Sequence, residues 1–180
     1  MTALVLTPGA SATREHPSLI AIEEAVSPLG VEVVRLDLPK RADKAAEFVA
    51  EEAAPLRERH RSVILGGRSF GGRVCSMAVA DGFDAAALVL VSYPLHPPGK
   101  PDQLRTAHLP RIEVPCLFVS GTRDAFATPA ELEEHTAVIG GPVTHVWIDG
   151  GDHGLRRKDQ EVAGAVARWV ESLRLPDALS

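Results

Sequence analysis

A serine with glycines on both sides stands between a predicted strand and a predicted helix, and this stretch constrains the fold most strongly. Residues 62–72 read SVILGGRSFGG, in which Gly67, Ser69 and Gly71 form a G-x-S-x-G pattern. At a sharp strand-to-helix turn the serine backbone is strained and its hydroxyl projects above the sheet edge. Glycine is needed two residues to either side, where a Cβ would collide with neighbouring backbone. The pattern favours a nucleophilic serine over a turn that merely packs a helix closely onto a strand.

The rest of the chain alternates short apolar strands with amphipathic helices. Strands are predicted over residues 2–7, 31–38, 62–66, 86–91, 115–120 and 143–148. Helices are predicted over residues 17–29, 44–60, 70–80, 128–140 and 159–173. Strand–helix alternation indicates a parallel sheet that is covered on both sides. We therefore expect a single α/β domain over residues 1–180: a three-layer sandwich with a mostly parallel six-stranded sheet covered by helices on both faces.

Three local features refine this prediction. Pro55 is expected to kink or split the second helix, because proline lacks the amide hydrogen that a helix interior uses. Thr128 and Glu131 have the spacing of a capping box at the start of the fourth helix. Residues 93–110 contain five prolines, so they are predicted to form an irregular loop over the sheet edge.

Composition and charge exclude several classes of partner. No apolar run approaches the length of a membrane span, and the N-terminal MTALVLTPGA lacks the basic region of a signal peptide, so a cytoplasmic location is expected. The net charge is −5, with basic residues scattered among acids, so neither a nucleic-acid nor a membrane partner is expected.

Metal and cofactor sites are not predicted either. Cys75 and Cys116 lack the spacing of zinc ligands and lie in apolar segments, so we interpret them as buried thiols. Asp149, Asp152 and His153 could be imagined as metal ligands, but the sequence shows no further ligand residues that would converge on them. No metal site is therefore expected there. The nucleotide-binding patterns G-x-x-x-x-G-K-[ST] and G-x-G-x-x-G are absent from the sequence, and no cofactor is predicted.

A serine, a carboxylate and a histidine each follow a predicted strand. Ser69 follows the third strand, Asp124 the fifth and His153 the sixth. Because the carboxyl ends of parallel strands meet at one edge of the sheet, we expect these side chains to lie close together. A serine hydroxyl becomes a good nucleophile when a neighbouring base takes its proton, and an imidazole is suited to that task.

Other residues compete for these roles. Asp149 and Asp152 are alternatives to Asp124, but Asp152 directly precedes His153 and is expected to point elsewhere. Among the other histidines, His60 and His135 lie on predicted helices and are expected to be solvated. His145 lies inside the last strand, where a packed or surface role is expected.

The sequence resembles the α/β-hydrolase superfamily, particularly its short, lidless members related to dienelactone hydrolase. The resemblance rests on G-R-S-F-G-G from Gly67, G-T-R-D from Gly121 and G-G-D-H-G from Gly150, and it extends from the first strand to the final helix. The order Ser…Asp…His is that of this superfamily. The chain lacks the pair of antiparallel strands with which larger members begin.

The resemblance implies a catalytic triad and an oxyanion hole. Ser69 would be the nucleophile, His153 the general base and Asp124 the residue that orients the imidazole. The backbone N–H groups of Phe70 and Ala10 would hold the oxyanion. Many relatives have His-Gly-x-Gly after the first strand, where this chain has Pro8-Gly9-Ala10-Ser11. Because Pro8 stands at the histidine position, this chain lacks both the imidazole side chain and a backbone N–H there.

The function implied is that of a carboxylesterase-like serine hydrolase, which cleaves a small ester, thioester or lactone through an acyl-enzyme. The expected partner is a small-molecule acyl substrate, and a homodimer is possible. Gly9, Arg68, Tyr93 and His96 are candidate substrate-binding residues, although the last two, with His108, could equally serve loop packing. Two alternatives stay open: a non-catalytic binding or scaffold protein on a hydrolase fold, and an acyltransferase or peptidase with the same triad.

Overall fold

All six predicted strands lie in one sheet, and every pair of neighbours in it is parallel. A computed structural model describes residues 1–173 of the chain. The strands are β1 (Thr2–Thr7), β2 (Val31–Arg35), β3 (Ser62–Arg68), β4 (Ala87–Val91), β5 (Cys116–Gly121) and β6 (Val143–Ile148). Their order across the sheet is β2-β1-β3-β4-β5-β6. The fold class is confirmed, and the sheet is entirely rather than mostly parallel.

Five α-helices connect or follow the strands. They are α1 (Pro17–Val26), α2 (Ala42–Arg59), α3 (Phe70–Ala80), α4 (Pro129–Thr136) and α5 (Asp159–Ser172). Short 3₁₀ turns at Ser27–Leu29 and Leu109–Arg111 complete the regular structure of the described residues. The predicted capping box of α4 is confirmed, since the Thr128 side chain accepts from the Glu131 amide and the Glu131 carboxylate accepts from the Thr128 amide.

Two apolar layers hold the helices against the sheet. One layer joins α2, α3 and α4 to alternate side chains of the strands, with Phe118 and Leu65 among its fully buried members. The other joins α1 and α5 to the opposite set, including Ile64 and Val119. Strands β3 and β4 are buried on both faces, which explains why β4 reads as an uninterrupted apolar run. The predicted sandwich of helix, sheet and helix follows.

At α2 the expected split at Pro55 does not occur, and the expected exposure of His60 is wrong. The helix runs without a break through Pro55. Pro55 and Glu51 are both exposed, so water can bond the carbonyl that the missing proline amide leaves free. His60, expected to be solvated, is 6% exposed at the C-terminal end of α2, and its Nε2 lies 2.9 Å from Glu32 Oε2 on β2.

The strand order creates a gap between two loops at the carboxyl edge of the sheet. Strand β1 lies between β2 and β3. The chain therefore passes from β1 to β2 on one side of β1, and then crosses back so that β3 pairs with the other side of β1. In open parallel sheets such a reversal separates the loops above it and provides a place for a ligand. Here the two loops follow β1 and β3. In the described part of the chain, none of the helices combines the length and hydrophobicity that crossing a bilayer requires.

Candidate active site

Ser69 stands at the turn between β3 and α3 in a backbone conformation that non-glycine residues rarely adopt. Its φ is 51° and its ψ is −116°, which strains the backbone. A Cβ on Gly71 would lie 2.6 Å from the carbonyl oxygens of both Pro8 and Thr7, closer than atoms pack. A Cβ on Gly67 would overlap the Thr7 hydroxyl. The glycines of the motif therefore let β3 and α3 pack against the end of β1, which fixes Ser69 in this turn.

The structure brings Ser69, His153 and Asp124 into one hydrogen-bonded chain. Ser69 Oγ lies 2.8 Å from His153 Nε2. On the other side of the ring, His153 Nδ1 lies 3.0 Å from Asp124 Oδ1 and 2.9 Å from Oδ2. An Nδ1–H that donates to the carboxylate leaves Nε2 free to accept the serine proton. This arrangement has the geometry that general-base activation of a hydroxyl requires.

Asp124 is buried and further held by the loop that carries it. The carboxylate has no solvent exposure, and its Oδ1 also accepts the backbone N–H of Phe126 at 2.8 Å. The competing carboxylates lie elsewhere: Asp149 and Asp152 are exposed, and Asp152 Oδ1 accepts the amide of Leu155 at 3.0 Å. The carboxylate that contacts His153 therefore comes from the loop after β5, and not from the loop that carries His153 itself.

His153 is held from two further directions. The Phe126 ring stacks on the imidazole with ring centroids 3.8 Å apart and an interplanar angle of 22°. Arg68 Nη2 donates to the His153 carbonyl oxygen at 3.0 Å. The side chain of His153 retains 19% of its exposure, so one part of the ring remains open to solvent and to a substrate.

The two backbone amides that were expected to form an oxyanion hole lie in segments that adjoin Ser69. Phe70 is the first residue of α3, where backbone N–H groups have no intrahelical acceptor and the helix dipole is positive. Ala10 is exposed in the loop after β1, and its N–H has no hydrogen-bond partner within residues 1–173. A Cβ on Gly9 would lie 3.7 Å from Ser69 Cβ, so this loop lies directly against the serine turn.

A cleft of about 780 Å³ opens above Ser69. Its lining comes from the end of β3, from the starts of α2 and α3, and from the loops that follow the six strands: Gly9, Ala10, Ser11, Ala12, His16, Lys40, Ala42, Arg68, Ser69, Phe70, Arg73, Pro94, Arg105, Phe126 and His153. Of the four candidate substrate-binding residues, Gly9 and Arg68 line this cleft.

The structure does not bring Tyr93 and His96 to the cleft. The Tyr93 side chain is fully buried, with its hydroxyl 3.4 Å from Ser76 Oγ and 3.3 Å from His108 Nε2. Burial raises the pKa of Tyr93 to about 12. His96 is 4% exposed and its Nδ1 lies 2.8 Å from the Pro97 carbonyl oxygen. Both side chains lie in the buried run of residues 91–96 and pack this segment onto the domain.

Sequence reasoning missed three cations of the cleft: Lys40, Arg73 and Arg105. Arg73 follows Ser69 by four residues, which is one helical turn, and this spacing was a usable signal. Lys40 and Arg105 lie in irregular segments, where no periodicity indicates which side chains face a site. Burial lowers the pKa of both Arg68 and Arg73 from the ordinary arginine value.

Across residues 1–173, histidine, cysteine and acidic side chains do not cluster in threes in a way that could hold a metal ion. Cys75 and Cys116 are both buried and free, and burial raises the pKa of each thiol to about 12.

Comparison with known proteins gives a family match over nearly the whole chain. A family model described as an alpha/beta hydrolase domain matches residues 1–173. Among curated proteins, epoxide hydrolase A of Mycobacterium tuberculosis (strain ATCC 25618 / H37Rv) is 37% identical over 65 residues, which are 36% of this chain and 20% of that protein. The matched region spans about a fifth of that relative.

Solved structures share the fold at low sequence identity. Est1E from Butyrivibrio proteoclasticus superposes with a TM-score of 0.79 at 16% identity, covering 94% of this chain and 87% of that one. An alpha-beta serine hydrolase homologue from Coxiella burnetii superposes with a TM-score of 0.76 at 17% identity, covering 94% and 85% of the two chains.

Proposed function

The chain belongs to the alpha/beta hydrolase domain family, and from this premise we propose that it is a serine hydrolase that cleaves a small ester, thioester or lactone through an acyl-enzyme. One observation carries the proposal. Ser69 Oγ, on a strained turn, lies 2.8 Å from an imidazole nitrogen whose ring is hydrogen-bonded on its far side to the buried Asp124.

Acylation follows from the positions of these groups. His153 Nε2 takes the Ser69 proton while Oγ attacks the substrate carbonyl carbon, and Asp124 stabilises the imidazolium that forms. The carbonyl oxygen becomes an oxyanion beside the N–H groups of Phe70 and Ala10, and one such donor contributes about 10²–10³-fold in rate. The imidazolium then gives its proton to the leaving alcohol or thiol.

Deacylation uses the same residues with water in place of the alcohol. His153 Nε2 removes a proton from water, the hydroxide attacks the acyl carbon, and Ser69 leaves with the returned proton. Because the site is an open cleft lined by loops, water reaches the acyl-enzyme directly. The balanced outcome is one ester and one water converted to one acid and one alcohol.

This chemistry favours acyl substrates over epoxides, the substrate class in the name of the M. tuberculosis relative. Attack of Ser69 on an epoxide carbon would leave an ether, which an activated water does not cleave. Attack on an ester carbonyl leaves another ester, which His153 and water hydrolyse. The serine at this position therefore supports ester-type substrates.

A fluorophosphonate probe tests the proposal, because it reacts covalently with a serine whose proton is being removed. We expect the wild type to be labelled, and both Ser69→Ala and His153→Ala to lose labelling. Ser172→Ala, which changes an exposed serine at the end of α5, is the matched control and should label like wild type.

The outcomes separate the alternatives. If folded wild-type protein is not labelled, the non-catalytic binding or scaffold function gains support and the proposal fails. If labelling occurs, a panel of esters, thioesters and lactones follows. Added amine or thiol acceptors then distinguish hydrolysis from acyl transfer by the product that accumulates.

A further inference from the structure

The cleft above Ser69 is lined by positive charge. Lys40, Arg68, Arg73 and Arg105 all contribute to its lining. None of the cleft-lining residues in the described part of the chain is aspartate or glutamate. The whole chain has a net charge of −5, so this concentration of cations is opposite to the protein's overall charge.

Many other cations of the fold are paired, and those of the cleft are not. On the surface, Arg35 contacts Glu23 and Glu15, and Arg111 contacts Asp81. Within residues 1–173, Lys40, Arg68, Arg73 and Arg105 form no ion pair. Carboxylates thus pair with many basic side chains of the surface, but not with those that line the cleft.

Arg68 differs from the other three cations because it already has a structural role. Its Nη2 donates to the His153 carbonyl oxygen, and the nearby carboxylates of Asp124, Asp159 and Asp152 favour its charge. Arg68 therefore holds the loop of His153 and is partly neutralised by its surroundings.

Arg73 and Arg105 have no such compensation. Arg73 lies one helical turn beyond Ser69, and its Nε is buried without a hydrogen-bond partner within residues 1–173. Burial lowers the pKa of Arg73; Tyr93 opposes this shift, and the neighbouring Arg105 adds to it. Two neighbouring guanidinium groups without a counter-charge are unfavourable unless an anion is bound between or beside them.

We propose that the cleft takes an ester whose non-reacting part carries a carboxylate or phosphate group, with Arg73 and Arg105 as the residues that bind it and Lys40 at the exposed rim. The inference rests on the proposed hydrolase function and names its substrate class. Guanidinium groups bind both oxyanions with pairs of charge-assisted hydrogen bonds.

The first test compares two esters that differ in charge alone: 4-nitrophenyl hemiglutarate and the 4-nitrophenyl ester of glutaric acid monoamide. We expect kcat/KM to favour the anionic ester by roughly 100-fold at low salt, as two charge-assisted contacts suggest, with less preference at high salt. Arg73→Gln and Arg105→Gln should each reduce the preference about tenfold, through a higher KM for the anionic ester. The control Arg168→Gln removes an exposed arginine of α5 and should keep the preference.

The second test measures binding without chemistry, by calorimetric titration of the Ser69→Ala protein with glutarate and with methyl phosphate. Binding of either anion that is lost in the Arg73→Gln and Arg105→Gln backgrounds supports the proposal, and the tighter of the two identifies the group.

The two proposals fail in different ways. Equal turnover of the two esters, or a preference that survives both arginine variants, overturns the anionic substrate class while hydrolysis stands. Failure to hydrolyse either ester, together with arginine-dependent anion binding, overturns hydrolysis of these esters while the anion site stands. If neither anion binds, the anion site is overturned.

Discussion

The turn around Ser69 and the connection formed by residues 92–115 both border the cleft, but different contacts hold them in place. The turn is positioned by backbone: its glycines approach the end of β1 so closely that no Cβ fits. The connection is positioned by buried side chains, among them Tyr93, Leu95 and Leu109. The turn is therefore encoded in a few adjacent residues, whereas the connection depends on partners far away in the sequence.

The difference has a functional side. The turn carries Ser69, the proposed nucleophile, and the connection supplies Pro94 and Arg105 to the cleft wall. We therefore expect changes at the turn and its hydrogen-bonded partners to affect catalysis or folding strongly. Changes inside the connection should affect stability modestly and leave turnover of a neutral ester almost unchanged.

The largest effect is expected for Asp124→Asn. Loss of the carboxylate leaves His153 in the wrong tautomer, and the corresponding change in a serine protease triad lowers kcat about 10⁴-fold. The measurement is kcat on the best ester of the panel. Asp149→Asn, an exposed acid after β6, is the control and should stay within about twofold of wild type, as surface substitutions do. Similar losses in both variants would contradict the role of Asp124.

Gly71→Ala tests the packing of the turn itself. Its Cβ would meet the carbonyl oxygens of Thr7 and Pro8 at 2.6 Å, and backbone cannot yield as a side chain does. We expect the free energy of unfolding to fall by about 3 kcal/mol or more, measured by urea denaturation. In contrast, the Cβ of Gly164→Ala would meet only the mobile end of Arg168 and should stabilise α5 by up to about 1 kcal/mol. Equal effects would show that the turn tolerates side chains.

His108 sharpens the comparison from the side of the connection. Burial, with help from Arg73 and Arg111, lowers its pKa to about 4, so the folded state favours the neutral ring. Asp81 opposes the shift, and the ring nitrogen Nε2 faces the hydroxyls of Ser76 and Tyr93. The stability that a neutral ring contributes is complete above the unfolded pKa near 6.5. It is lost as the pH falls towards 4.

The measurement is the unfolding free energy of wild type and of His108→Gln between pH 7 and pH 4. We expect wild type to lose about 1 kcal/mol more than the variant, after allowance for the partial exposure of the ring. If the two proteins lose stability in parallel, His108 does not titrate with folding.

The smallest effect is expected for Tyr93→Phe. The variant removes a buried hydroxyl whose contacts with Ser76 and His108 are 3.4 and 3.3 Å long, so the unfolding free energy should fall by about 1 kcal/mol or less. Turnover should not change by more than about twofold, because the ring lies behind the cleft wall. A tenfold loss of kcat/KM at unchanged stability would show that Tyr93 reaches the substrate.

Much of the fold could be predicted because it depends on local patterns. Fully apolar runs mark strands that are covered on both faces, and Gly30 stops the first helical segment with a φ of 79°, a conformation that favours glycine. The meeting of Ser69, Asp124 and His153 could also be predicted. Each follows a strand, and the edge where parallel strands end is common to all of them.

Other features depend on contacts that a single sequence does not display. Tyr93 and His96 lie in a segment without periodicity, and the apolar space behind the connection, invisible in the sequence, turns both side chains inward. His60 is buried because α2 ends against β2, a matter of tertiary packing. Arg105 reaches the cleft because the connection folds back over α3. The prolines of the connection are compatible with this course of the backbone, but they do not determine it.

The stacking of Phe126 on His153 makes the imidazole observable by itself. The ring protons of His153 lie over an aromatic face at a centroid distance of 3.8 Å, where the ring current of the phenyl group shifts their magnetic resonance upfield. Among the seven histidines of the chain, His145 also stacks on aromatic rings, those of Phe118 and Trp147. The substitution Phe126→Leu therefore identifies His153, because it returns the signal of His153 alone downfield. The protonation of His153, the proposed base, can then be followed in the resting protein without a substrate or an inhibitor.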